Sequence, residues 1–214
     1  MIKDVIIRKR GVQTDIMAAE AFEKYADLER YLFEEISPRF RSAQRISAFD
    51  FFCIVIWKAN RAKSRIAARL LAPAHGHEDL DCAVSALCAD LTKAACPRDR
   101  LRALLVKWKF LLPMASAILT VLYPTEFTVY DVRVCEMLGD FSYLKNRTEF
   151  DGVWEDYSAY VARVRSEASH LSLLRDKDRY LWGKSFAQDL RAEIANRFHG
   201  GGQIPDLSPS EEEA

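Results

Sequence analysis

An all-α fold is predicted by three observations. Apolar residues recur at helical spacing through most of the chain, the breaks between those segments fall at proline or glycine, and both breakers are scarce, 8 Gly and 7 Pro in 214 residues. The segments between breaks are therefore long enough for helices. With half of its residues hydrophobic, the chain can bury a substantial core, and residues 1–198 are read as a single helical domain. Residues 199–214 carry Gly200, Gly201, Gly202, Pro205, Pro209 and a run of Glu211 to Glu213. They read as a flexible acidic tail, with too few apolar groups to offset ordering entropy.

Thirty-one Lys and Arg balance 31 Asp and Glu. Bulk charge gives no attraction to nucleic acid, so any such binding must come from a local basic patch. Five cysteines at irregular spacing suit a reduced, cytoplasmic protein rather than a disulfide framework. The start is too short and too charged for a signal peptide, and no apolar run is long enough to span a membrane.

The elements follow in order. Val5, Ile6 and Ile7 precede Arg8, Lys9, Arg10 and Gly11, a pattern for a short edge strand or arm. Thr14 or Asp15 can cap a helix over residues 16–35, with Phe22, Tyr25, Leu28, Leu32 and Phe33 on one face. Pro38 is expected to break it, followed by a loop carrying Arg39, Arg41 and Arg45. Residues 49–71 read as helical, apolar at first and basic later, with a junction near residues 57–61. In the loop at 72–77, His75 and His77 with Cys82 and Cys88 invite a zinc reading, but their spacing fits no common finger. Both cysteines read as core residues of a helix over 79–95, and neither a metal nor a cofactor is expected.

Pro97 opens a helix with Arg98, Arg100, Arg102, Lys107 and Lys109. It leads into residues 112–138, LPMASAILTVLYPTEFTVYDVRVCEML, the most informative stretch. Pro113 suits a first helical turn, residues 114–123 are apolar enough to be buried on all sides, and Pro124 ends that helix. A β-branched and aromatic run follows, then Asp131 at an N-cap position before Val132, Val134, Cys135 and Leu138. Gly139 should close that short helix. Two amphipathic helices, at residues 150–170 and 174–198, complete the chain.

Leu112 and Pro113, the small-residue helix, the proline loop and V-Y-D-V-R at 129–133 resemble the helix-hairpin-helix DNA glycosylases, most closely the 8-oxoguanine glycosylase branch. The resemblance implies a two-lobed helical fold, DNA as partner, and excision of a modified purine-type base extruded into a cleft. Asp131 matches the essential aspartate. Asn60 matches the residue that fills the space left by the flipped base, with Arg61, Arg65, Ser116 and Arg133 on the nucleic acid. Trp182 and Phe186 fall where the base pocket is expected. Met114, Ala115 and Ser116 stand where the family has hairpin glycines, and no lysine lies between Pro113 and Asp131. An efficient lyase step is therefore not implied, and Lys109 and Lys184 are the candidates for proton donor or nucleophile. The alternative is a catalytically degenerate binding protein for a modified nucleotide or a protein partner, as relatives in bacterial defence operons suggest. The plainest alternative makes Asp131 only a helix cap.

Overall fold

Helices begin where a side chain can satisfy their first free N–H groups. In the computed structural model, which describes residues 22–198, Asp27 caps α1 (Leu28–Arg30), Ser47 caps α3 (Ala48–Ala59) and Asp79 caps α5 (Leu80–Lys93). Asp131 caps α8 (Val132–Leu138) and Glu149 caps α9 (Phe150–Ser166). Each accepts a backbone N–H of the first turn, as Ser, Asp and Glu do at this position. Proline opens α6 (Pro97–Arg102) and α7 (Leu112–Leu122), where its missing N–H is no loss. The remaining helices are α2 (Ser37–Ala43), α4 (Lys63–Leu70) and α10 (Leu174–Ala195). No strand occurs among the described residues, so the all-α class stands for them. The β-branched start and the acidic tail lie outside them.

Pro38 does not break the chain as expected. Helix α1 runs on through a π-helical stretch, Tyr31–Ile36, directly into α2, whose first turn holds Pro38. The wider π register fits a residue that cannot donate to the preceding turn, so the helix absorbs the proline instead of ending. Arg39 consequently sits on a helix at the surface and not in a loop, with Nη1 2.7 Å from the buried Asp50.

Helix α7 is the centre of the core. Every residue from Met114 to Leu122 is buried, as is Leu112. Full burial of each Leu, Ile or Val contributes about 1.5–3 kcal/mol. It packs on α3, which in turn meets α5, while α10 lies along α8 and against α9. Buried residues from Tyr31 to Leu181 form one continuous apolar cluster. Between α6 and α7 a second π-helical stretch, Ala103–Lys107, ends at the fully buried Trp108. Lys109 then takes a left-handed φ of +57°, which makes the hairpin turn without glycine. None of the described helices is long and apolar enough to cross a membrane.

Candidate active-site cleft

The segment before Asp131 is buried and belongs to no helix or sheet, so its polar backbone must find other partners. Three side chains supply them. Ser116 Oγ accepts the Tyr130 N–H at 2.9 Å, Tyr157 Oη donates to the Thr128 carbonyl at 2.6 Å and Tyr160 Oη to the Val129 carbonyl at 2.8 Å. Burial pushes both tyrosine hydroxyls well above their ordinary pKa, so they stay protonated donors. Asp131 thus leaves a rigid mount, with Oδ1 taking the Arg133 N–H at 3.1 Å.

Its other oxygen meets a lysine from far upstream. Lys58 Nζ, in the last turn of α3, sits 2.6 Å from Asp131 Oδ2, and the two side chains are only 15% and 21% exposed. The apolar half of α3, with Phe51, Ile54 and Val55 buried, anchors the helix so that its end projects Lys58 toward the carboxylate. This pair lines a cleft of about 640 Å³, a size suited to a nucleotide-sized ligand. Trp57 and Trp182 line the same cleft.

A second carboxylate, Asp178 of α10, also faces it. Asp178 is 2% exposed. Burial pushes its pKa up to about 6, against the opposing pull of Arg175, with the Asp131 charge raising it further and Lys58 lowering it. Arg175 bonds Asp178, reaches Glu29 of α1 at 2.9 Å, and lies 5.0 Å from the ring centres of both Phe33 and Trp57. One guanidinium therefore orients the buried acid and one aromatic wall together.

The chain that leaves Lys58 is basic without relief. No Asp or Glu occurs between Asp50 and Glu78, while Lys58, Arg61, Lys63, Arg65 and Arg69 do. A 3₁₀ turn, Asn60–Ala62, separates α3 from α4, and the predicted junction falls there. Arg61 and Arg65 are exposed and make no ion pair among the described residues. Asn60 is exposed two residues beyond Lys58, but it is not part of the cleft lining.

The other expected site residues divide. Trp182 lines the cleft, whereas Phe186 stacks on its outer side at 5.6 Å. Arg133 lies 5.8 Å from both of those rings and pairs with Asp189 at 2.6 Å. Ser116 is fully buried and committed to Tyr130. It is out of reach of a phosphate, because α7 is turned into the core and not toward solvent. Lys109 is exposed in the hairpin and Lys184 on the outer face of α10 near Tyr180 and Arg191. Neither reaches Asp131, whose place for an amine is taken by Lys58. His75 and His77 stack on Trp108, at 4.5 and 5.8 Å.

Sequence reasoning missed Lys58, Trp57, Arg175 and Asp178. A lone lysine ending an apolar helix, and an aspartate inside the charge-rich LRDKDRY, carry no local signal of their partners. No family model matches this chain, and comparison with curated proteins and with solved structures finds no match.

Proposed function

We propose that the protein is a DNA N-glycosylase of helix-hairpin-helix type that draws a modified purine-type base into the cleft and cleaves its bond to the sugar. The observation that carries the reading is the Lys58–Asp131 pair, 2.6 Å apart, at a cleft with two tryptophans in its wall and an acid-free basic segment leading away from it. An aromatic wall gives a base stacking surface, and unpaired cations give phosphate contacts.

The chemistry follows from the pair. As the glycosidic bond breaks, positive charge develops on the sugar, and a preorganised carboxylate lowers the energy of that state. Once Lys58 has released its proton to solvent, Nζ can attack the anomeric carbon as the base leaves. The adduct gives up its second proton to Asp131 or water, and opening of the sugar ring's carbon–oxygen bond turns it into a covalent imine, or Asp131 can orient water instead. Lys58 thus fills the role that the spacing near the hairpin leaves empty, and the reading includes a lyase step.

Binding should rest on the basic segment. In the doubly substituted Arg61→Ala, Arg65→Ala protein, affinity for a duplex oligonucleotide should fall at least about tenfold at low salt, and the slope of log affinity against log salt should shrink by about 1–2, as loss of phosphate contacts requires. Fluorescence anisotropy across a salt series checks this. An unchanged slope would remove the segment from the interface.

A further inference from the structure

We infer that Asp178 is the general acid of the cleft, the carboxyl group that hands a proton to the departing base while Asp131 and Lys58 act on the sugar. The inference rests on the glycosylase reading and adds to it a role that the lysine–aspartate pair leaves unfilled. Loss of a purine needs a proton, because the electron pair of the broken bond is left on the base. Asp131 is poorly placed to give one, since its two oxygens accept from the Arg133 N–H and from the Lys58 ammonium.

Asp178 keeps one oxygen free. It comes from a different helix, sits 2% exposed in the cleft wall, and Arg175 bonds only its Oδ2. The other oxygen takes no hydrogen bond from the described residues and is not among the sealed polar atoms, so it remains open to the cleft. The groups that act on it are Arg175 on its own helix, Asp131 at the start of α8, Lys58 from α3 and the tyrosines 157 and 160 of α9. Glu29 draws on the same guanidinium from α1. Both carboxylates are ion-paired, Asp131 with Lys58 and Asp178 with Arg175, but only Asp178 is buried deeply enough for desolvation to outweigh its partner, which suits it to the acid's task and leaves the electrostatic one to Asp131. Burial that raises Asp178 keeps a working fraction protonated near neutral pH.

The step balances without a co-reactant. The glycosidic carbon–nitrogen bond breaks, its electron pair stays on the base, and the Asp178 proton moves to a ring nitrogen of that base. The anomeric carbon gains a bond to Lys58 Nζ or to water, whose proton passes to Asp131 or solvent. Asp178 is reprotonated from water once the base has left.

Leaving-group dependence tests the assignment. Single-turnover release is measured from duplexes carrying 8-oxoguanine, which departs with an acid's help, and 7-methylguanine, which is already cationic and departs as a neutral base. Asp178→Asn should lose at least about ten times more rate on 8-oxoguanine than on 7-methylguanine, and Asp178→Glu should recover part of the difference. Wild-type protein supplies an arm that needs no variant to fold. Its 8-oxoguanine rate should fall as pH rises above about 6, the group being active only when protonated, whereas its 7-methylguanine rate should lack that limb. Equal losses on both substrates, or pH profiles of the same shape, would overturn the role of Asp178 and leave the glycosylase reading intact. Release of neither base by wild-type protein would overturn both.

Discussion

Lys58→Gln should slow base release by at least about a hundredfold and abolish the covalent complex that borohydride traps from an imine. Lys58 supplies the only amine in the lining of the cleft among the described residues, the other cations there being arginines, whose guanidinium is permanently charged. Glutamine keeps a polar side chain only one bond shorter but can neither attack nor balance Asp131. A preorganised group lost from such a site costs on the order of a hundredfold to a thousandfold in rate. The stability cost should be small, about 1 kcal/mol, because Asp131 keeps its Arg133 N–H and can recruit water from the cleft. Single-turnover kinetics, trapping on denaturing gels and thermal unfolding check the three parts. Undiminished release with loss of the trapped complex alone would confine Lys58 to the lyase step.

Trp108→Ala should destabilise the fold by about 3–5 kcal/mol, the largest stability effect expected of a single change outside the cleft. The indole is fully buried at the hairpin between the π-helical stretch and α7. Truncation leaves a cavity, removes the surface on which His75 and His77 stack, and strips the Asp90 carboxylate of the indole N–H at 2.9 Å. Since α7 carries Ser116 and Ser116 holds Tyr130, loosening the hairpin also loosens the mount of Asp131. Denaturant titration gives the magnitude. A loss under 1 kcal/mol would show that the hairpin repacks and is not what holds α7 in register.

How far the site could be read from the chain depends on how local each signal is. Asp131 announces itself as a cap because the side chain and the N–H group it serves lie within two residues. Gly139 closes α8 at φ +69°, and Pro113 opens α7, both for reasons contained in one turn of backbone. Lys58 and Asp131 are 73 residues apart, and no periodicity links them. Their meeting depends on how α3 packs against α7. Asp178 was hidden differently. Helix α10 places Lys177 and Asp178 in the interior and Trp182 and Phe186 outside, against the usual amphipathic pattern. Lys177 is satisfied there by the carbonyls of Arg165 and Glu167 at 2.6 and 2.9 Å, partners that a sequence pattern cannot show. Pro38 misled for a related reason. A proline predicts a lost hydrogen bond, and a π-helical stretch before it is one way to lose that bond without ending the helix.

The central claim is that Asp131 acts through its charge and not as a cap alone. Asparagine caps a helix nearly as well as aspartate, so Asp131→Asn should stay folded, losing about 1–2 kcal/mol as the Lys58 partner is removed, and should still bind a duplex carrying the modified base. The decisive measurement is the single-turnover rate of base release by this variant beside wild type, with thermal unfolding and anisotropy run on the same samples. Release should be at least about a hundredfold slower, with binding retained. Release at the wild-type rate by a stable Asp131→Asn protein would make the carboxylate structural and contradict it.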